Sequence, residues 1–113
     1  MSQPILLKVY GNLLPVDEAL FRRLERLCGQ CCPLPERSPC VLTGNLLNIS
    51  YEGIYFPVRE VVEMVAGQLR IGQKGKLDEL DLEEWRLTRY IFADGEVRES
   101  SAPLNNVLDY SGH

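Results

Sequence analysis

Histidine is almost absent from this chain: the single one is His113, the last residue. The body of the sequence therefore lacks the commonest general base and the commonest nitrogen ligand for metals. No Gly-x-Ser-x-Gly elbow occurs either, and Cys-His catalysis would have to recruit the terminal residue, so an enzyme is not the expectation. Long apolar runs are missing. Ile5-Leu6-Leu7 and Ile54-Tyr55-Phe56 fall far short of the roughly 20 residues that span a bilayer, and no membrane crossing is expected. Met1-Ser2-Gln3-Pro4 has no basic n-region and leads into no long apolar h-region, which makes the cytoplasm the expected location. A cationic surplus is lacking too. Twelve Lys and Arg against 16 Asp and Glu leave a net charge of -4, which weighs against nucleic acid, whose phosphates are met by cationic side chains.

What is present is an ordinary folding composition. Hydrophobic residues make up 45% and charged residues 25% of 113 positions, with no repeat and no linker, so one α+β domain over residues 1–113 is expected. Ile5 to Tyr10 is rich in strand formers and closed by Gly11-Asn12, predicting a strand that ends in a turn. Val16, Leu20, Leu24, Leu27 and Cys31 then recur at helical spacing, with Ala19 and Phe21 widening the stripe. Pro15 suits the first turn of that helix and Gly29 its stop.

Val41-Leu42-Thr43, Gly44-Asn45 and Leu46 to Tyr51 have the form of a hairpin with a two-residue turn. The apolar phase flips at Glu52-Gly53, where a tight turn or bulge is expected before Ile54 and Phe56. Pro57 opens a second helix whose stripe is Val58, Val61, Val62, Val65 and Leu69. Ile71 to Lys76 reads as a glycine-rich loop, and Asp81 with Glu84 as a capping box before a short helical turn at Trp85. Leu87 to Phe92 and Val97 to Ser100, joined by Asp94-Gly95, form a further hairpin. Leu104, Val107 and Leu108 are expected in one docked turn. This order contains the β-α-β-β-α-β arrangement of ferredoxin-like domains: an antiparallel sheet with two helices on one face, plus a C-terminal hairpin.

The chemically loaded stretch is Cys28 to Cys40, which holds all four cysteines: Cys28, Cys31, Cys32 and Cys40. A zinc or iron-sulfur centre is one reading, but only one Cys-x-x-Cys unit is present, and adjacent Cys31 and Cys32 tend to diverge. A thiol-disulfide role is disfavoured because the motif follows a helix C-terminus, whose dipole opposes a thiolate. The plainer reading makes Cys28 or Cys31 small buried hydrophobes on the helix stripe, and leaves Cys32 and Cys40 with less reason to be buried.

Three further patterns have plainer explanations. Gly72-Gln73-Lys74-Gly75-Lys76 lacks the Walker form and reads as a solvated turn. The acidic run from Asp78 fails the calcium-loop pattern because Leu80 and Leu82 take ligand positions. Tyr51, Tyr55, Phe56, Arg86, Arg89 and Tyr90, placed on expected strands, resemble a base-stacking sheet of the RRM kind, yet Glu52 stands where a basic residue belongs and Pro57 cannot serve a central ladder.

The expected function is a non-catalytic protein-interaction or assembly module, acting as a homodimer or within a larger assembly through exposed sheet edges. The alternative is a metal-binding or thiol-based redox protein centred on Cys28, Cys31, Cys32 and Cys40. One assay separates them. Protein purified without oxygen should show four titratable thiols and no metal under the first reading, and bound metal or visible absorbance under the second.

Overall fold

A computed structural model describes residues 5–29 and 38–104. Along the chain these form β1 (Leu7–Leu14), α1 (Glu18–Gly29), β2 (Cys40–Thr43), β3 (Leu46–Gly53), α2 (Val58–Gln68), β4 (Lys74–Asp81), β5 (Arg86–Ala93) and β6 (Glu96–Pro103). The strands build one antiparallel sheet in the order β2-β3-β1-β4-β5-β6. The fold is therefore α+β, but the expected ferredoxin-like sandwich with a separate C-terminal hairpin is corrected. Lys74–Asp81 is a strand that the charge-rich sequence conceals, and the β5–β6 hairpin continues the same sheet with no helix between β4 and β6. No helix among the described residues is long and apolar enough to cross a membrane.

Directly opposed residues in an antiparallel pair share a face, so the register sorts the side chains. Leu7, Val9 and Leu13 of β1 lie on one face with Cys40, Leu47, Ile49, Leu77 and Phe92 of its neighbours. These residues join Leu20, Leu24 and Cys28 of α1 and Val58, Val61 and Val65 of α2 in one buried cluster. Both helices thus cover the same face. β4 is hidden in the sequence because Leu77 is its only fully buried apolar residue, while Lys74, Lys76 and Asp78 point to the other side.

Local chemistry explains most boundaries. Asp17 Oδ1 accepts the Leu20 N–H at 2.8 Å, an N-cap that starts α1 at Glu18 rather than at Pro15, which follows Leu14 through a cis peptide. Gly44 has a φ of 63° at the first position of the β2–β3 turn, while in the β5–β6 turn both Asp94 and Gly95 are positive, at 55° and 75°, as a two-residue type I′ hairpin requires. Ile54–Phe56 is not a strand but a connection into α2; the Tyr51 ring packs on Phe56 at 5.1 Å between centroids, and its hydroxyl accepts the Tyr55 N–H at 3.1 Å. Asp81 Oδ1 accepts the N–H groups of Glu83 and Glu84 as a cap would, yet Leu82 to Trp85 forms a turn between β4 and β5, not a helix. The expected docked turn after Pro103 is described only at Leu104, which is buried; Val107 and Leu108 lie outside the described residues.

Gly11 does not end β1. It sits mid-strand between Ile49 and Leu77, and a Cβ there would meet a Leu77 methyl and the Lys76 carbonyl at 2.6 Å. Gly75, opposite Leu13, is tighter still, since its Cβ would come within 2.7 Å of Leu13 Cα and closer to the Asn12 carbonyl. The Gly75→Ala substitution is expected to lower stability by about 1–3 kcal/mol through overpacking against backbone. An unchanged urea midpoint would contradict that close approach.

Candidate functional site

Cys28 and Cys40 both lie in the core, Cys28 on the inner face of α1 and Cys40 opposite Ile49 at the start of β2. The expectation that Cys40 is less buried is corrected: it is 2% exposed, because joining the sheet at that register turns its side chain under the helices. Ser38 assists, its hydroxyl donating to the Cys40 carbonyl and accepting the Cys40 N–H. Cys31 and Cys32 lie outside the described residues. Among the described residues no group of three or more His, Cys, Asp or Glu side chains converges to hold a metal ion.

The aromatic and arginine set does not form a platform. Tyr51, Tyr90 and Arg86 fall on the helix side of the sheet, Tyr55 and Phe56 lie in the connection before α2, and only Arg89 faces the other side. That open side is instead laced by cross-strand polar contacts. Arg89 grips Asp78 with two hydrogen bonds of 2.8 and 3.0 Å, and the Tyr10 hydroxyl donates to Glu52. The Tyr10 phenol is pushed up to about 12 by this hydrogen bond, then by burial and by the charge of Glu52.

The glycine-rich segment before β4, expected to be a solvated turn, builds a cleft. Ile71 and Gly72 form a turn, and Gln73 behind it is buried at 6% exposure, its Oε1 accepting the Arg70 N–H and its Nε2 donating to the Pro15 carbonyl, both at 2.8 Å. This strut joins the α2–β4 turn to the β1–α1 turn across one end of the sheet. The cleft between them has a volume of about 450 Å³ and is lined by Pro15, Val16, Asp17, Asn45, Arg70 and Ile71 among others. Among the described residues its lining contains no Ser, Thr, Cys, Tyr, Lys or His, and its one carboxylate, Asp17, caps α1.

The two sheet edges differ. β2 has four residues, whereas β6 has eight. Leu104 donates its N–H to the Trp85 carbonyl at 3.0 Å, and this pair continues the β5–β6 register. Hydrogen-bonded pairs alternate along an antiparallel ladder, so even-numbered β6 residues turn their main-chain groups toward β5 and odd-numbered ones turn theirs outward. The two-residue turn closed by Ala93 and Glu96 requires the same phase. Val97, Glu99 and Ser101 therefore present N–H and C=O groups along the outer edge, and Pro103 falls where its missing N–H removes nothing from the β5 ladder.

On the helix side, the surface behind this edge is acidic. Glu79 and Asp81 of β4 and Glu99 of β6 share that face. The Glu79 carboxyl is held above its ordinary value by burial first, then by Asp81 and Glu99. Tyr90 is likewise raised by burial, then by Glu99 and Glu79, with Arg59 of α2 pulling the other way. Arg86 lies across from Asp81 and bonds the Ser101 hydroxyl through Nε and one terminal nitrogen, at 3.2 and 3.1 Å.

From the residues alone, the cysteines are the candidates for an alternative, chemical role, and neither β6, Glu79 nor Gln73 is marked. The β6 phase is nonetheless written in Asp94-Gly95, because a two-residue turn fixes which residues face out. No family model, no curated protein and no solved structure matches this chain.

Buried Gln73 and half-buried Glu79 both have measurable consequences. Gln73→Ala leaves the Pro15 carbonyl and the Arg70 N–H without their partner and is expected to cost about 1–3 kcal/mol, read by chemical denaturation. For Glu79 the pKa is raised in the folded chain above its ordinary 4.5, so the stability tied to this group is full below that value and is lost as pH rises through the raised one. Glu79→Gln should therefore melt above wild type at pH 7, with the advantage gone below about pH 4. An equal difference at both pH values would contradict this assignment.

Proposed function

We propose that this chain is a protein-interaction or assembly module without catalytic activity, and that β6 is the edge at which it pairs. The observation that carries the reading is the outward row of main-chain donors and acceptors at Val97, Glu99 and Ser101. Such a row is a template for another strand, and main-chain hydrogen bonds are the common source of affinity in strand addition. Glu96, Arg98 and Glu99 along the same strand set which strands can pair, since charge on an edge discourages indiscriminate association. Two features support a role in contact rather than chemistry: the one carboxylate lining the cleft, Asp17, caps α1, and Cys28 and Cys40 serve the core.

The test places a proline at an outward position, as Pro103 already does naturally. Ser101→Pro removes one outward N–H without touching the β5 ladder, and Ser101→Ala controls for the hydroxyl that Arg86 bonds. Sedimentation velocity over a wide concentration range, together with affinity capture from the native host, should reveal self-association or a retained partner. Either should persist in Ser101→Ala and be lost in Ser101→Pro at unchanged circular dichroism. A chain that stays monomeric and retains nothing would overturn the reading.

A further inference from the structure

We infer that the strand added at β6 belongs to a different protein and carries a lysine or arginine directly opposite Glu99. This inference rests on the reading of β6 as an interaction edge and names the chemistry of its occupant. An added antiparallel strand sets each of its residues opposite one on β6, on the same face and with Cβ atoms about 4.5–5.5 Å apart. Opposite Glu99 that position lies at the rim of the acidic surface formed with Glu79 and Asp81. Both Glu79 and Tyr90 already respond to the charge of Glu99. The cations on this side leave Glu99 without an ion pair among the described residues: Arg86 lies across from Asp81 and bonds Ser101, and Arg59 of α2 lies near Tyr90. A cationic side chain from the incoming strand relieves the repulsion that the fold leaves in place.

A second copy of this chain fits less well. The register that uses both main-chain groups of Val97, Glu99 and Ser101 on each copy sets Glu99 against Glu99 of the other, and like charges directly opposed destabilise a pair. Pro103 also limits the ladder, since it contributes a carbonyl but no N–H at the next outward position. The occupant is thus a short extended segment, alternating in side-chain character and with its cation near the middle.

Two capped heptapeptides of alternating threonine and valine, one with lysine and one with glutamate at the central position, test this against the full isotope-labelled chain. The lysine peptide should shift the amides of Val97, Glu99 and Ser101 first and bind roughly tenfold tighter than the glutamate peptide. Glu99→Lys should invert the preference, and Ser101→Pro should abolish binding of both. Equal affinity for the two peptides would overturn the charge assignment, and amide shifts confined to other surfaces, or none at all, would overturn the site. A dimer in sedimentation that Ser101→Pro dissolves would put a second copy on β6, sinking this inference while the interaction reading stands. Absence of peptide binding, self-association and captured partner together would remove both.

Discussion

β1 is hydrogen-bonded along its length to β3 on one side and to β4 on the other, and every other element takes its position from that double pairing. A strand buried between two neighbours has no freedom of register, because a one-residue slip would turn Leu7, Val9 and Leu13 out of the core. Gly11 and Gly75 permit the close approach on the helix-covered face, where a side chain would collide with neighbouring backbone. Once β1 is set, β3 carries β2 and so places Cys40, while β4 carries β5 and β6 and so places Glu99. The core and the acidic edge are consequences of one register.

Polar groups follow the same logic. Gln73 is the one buried polar residue among those described, and both ends of its amide are satisfied by main chain, at Arg70 nearby and at Pro15 far away in sequence. An amide bonded at both ends resists being drawn into solvent, because removing it would strand a carbonyl and an N–H inside the protein. The open face uses charge in a similar way, with Asp78 and Arg89 directly opposed across β4 and β5. The acidic helix-side surface of β4 to β6 is the exception. There the carboxylates outnumber nearby cations, and the Glu79 carboxyl holds its proton to higher pH, through its burial first and then through Asp81 and Glu99.

Edges decide how a small open sheet meets other molecules. β2 is too short to offer much of a template, whereas β6 presents outward main-chain groups over most of its length. On the proposed reading of β6 as an interaction edge, charges on that strand narrow the range of segments able to pair with it. The cleft beside the start of α1 is shaped by the Gln73 strut, which joins the two turns that bound it.

The helices, both hairpin turns and the inner stripes of α1 and α2 are legible in the residues, because spacing at helical period and the Gly44-Asn45 and Asp94-Gly95 turns are local signals. β4 is not legible: Lys74, Lys76, Asp78, Glu79 and Asp81 mask a strand whose stability comes from pairing with β1 and β5 rather than from its own apolar content. Likewise, nothing near Cys40 in sequence says that its side chain turns inward, and nothing near Gln73 says that it reaches Pro15. Local residue order is thus enough to dictate which segments are helical, where the chain reverses and which main-chain groups β6 turns outward. The placing of β4 beside β1, the shared surface of Glu79, Asp81 and Glu99, and the closing of Cys28 and Cys40 into one core emerge only on folding, since each depends on pairing between residues distant along the chain.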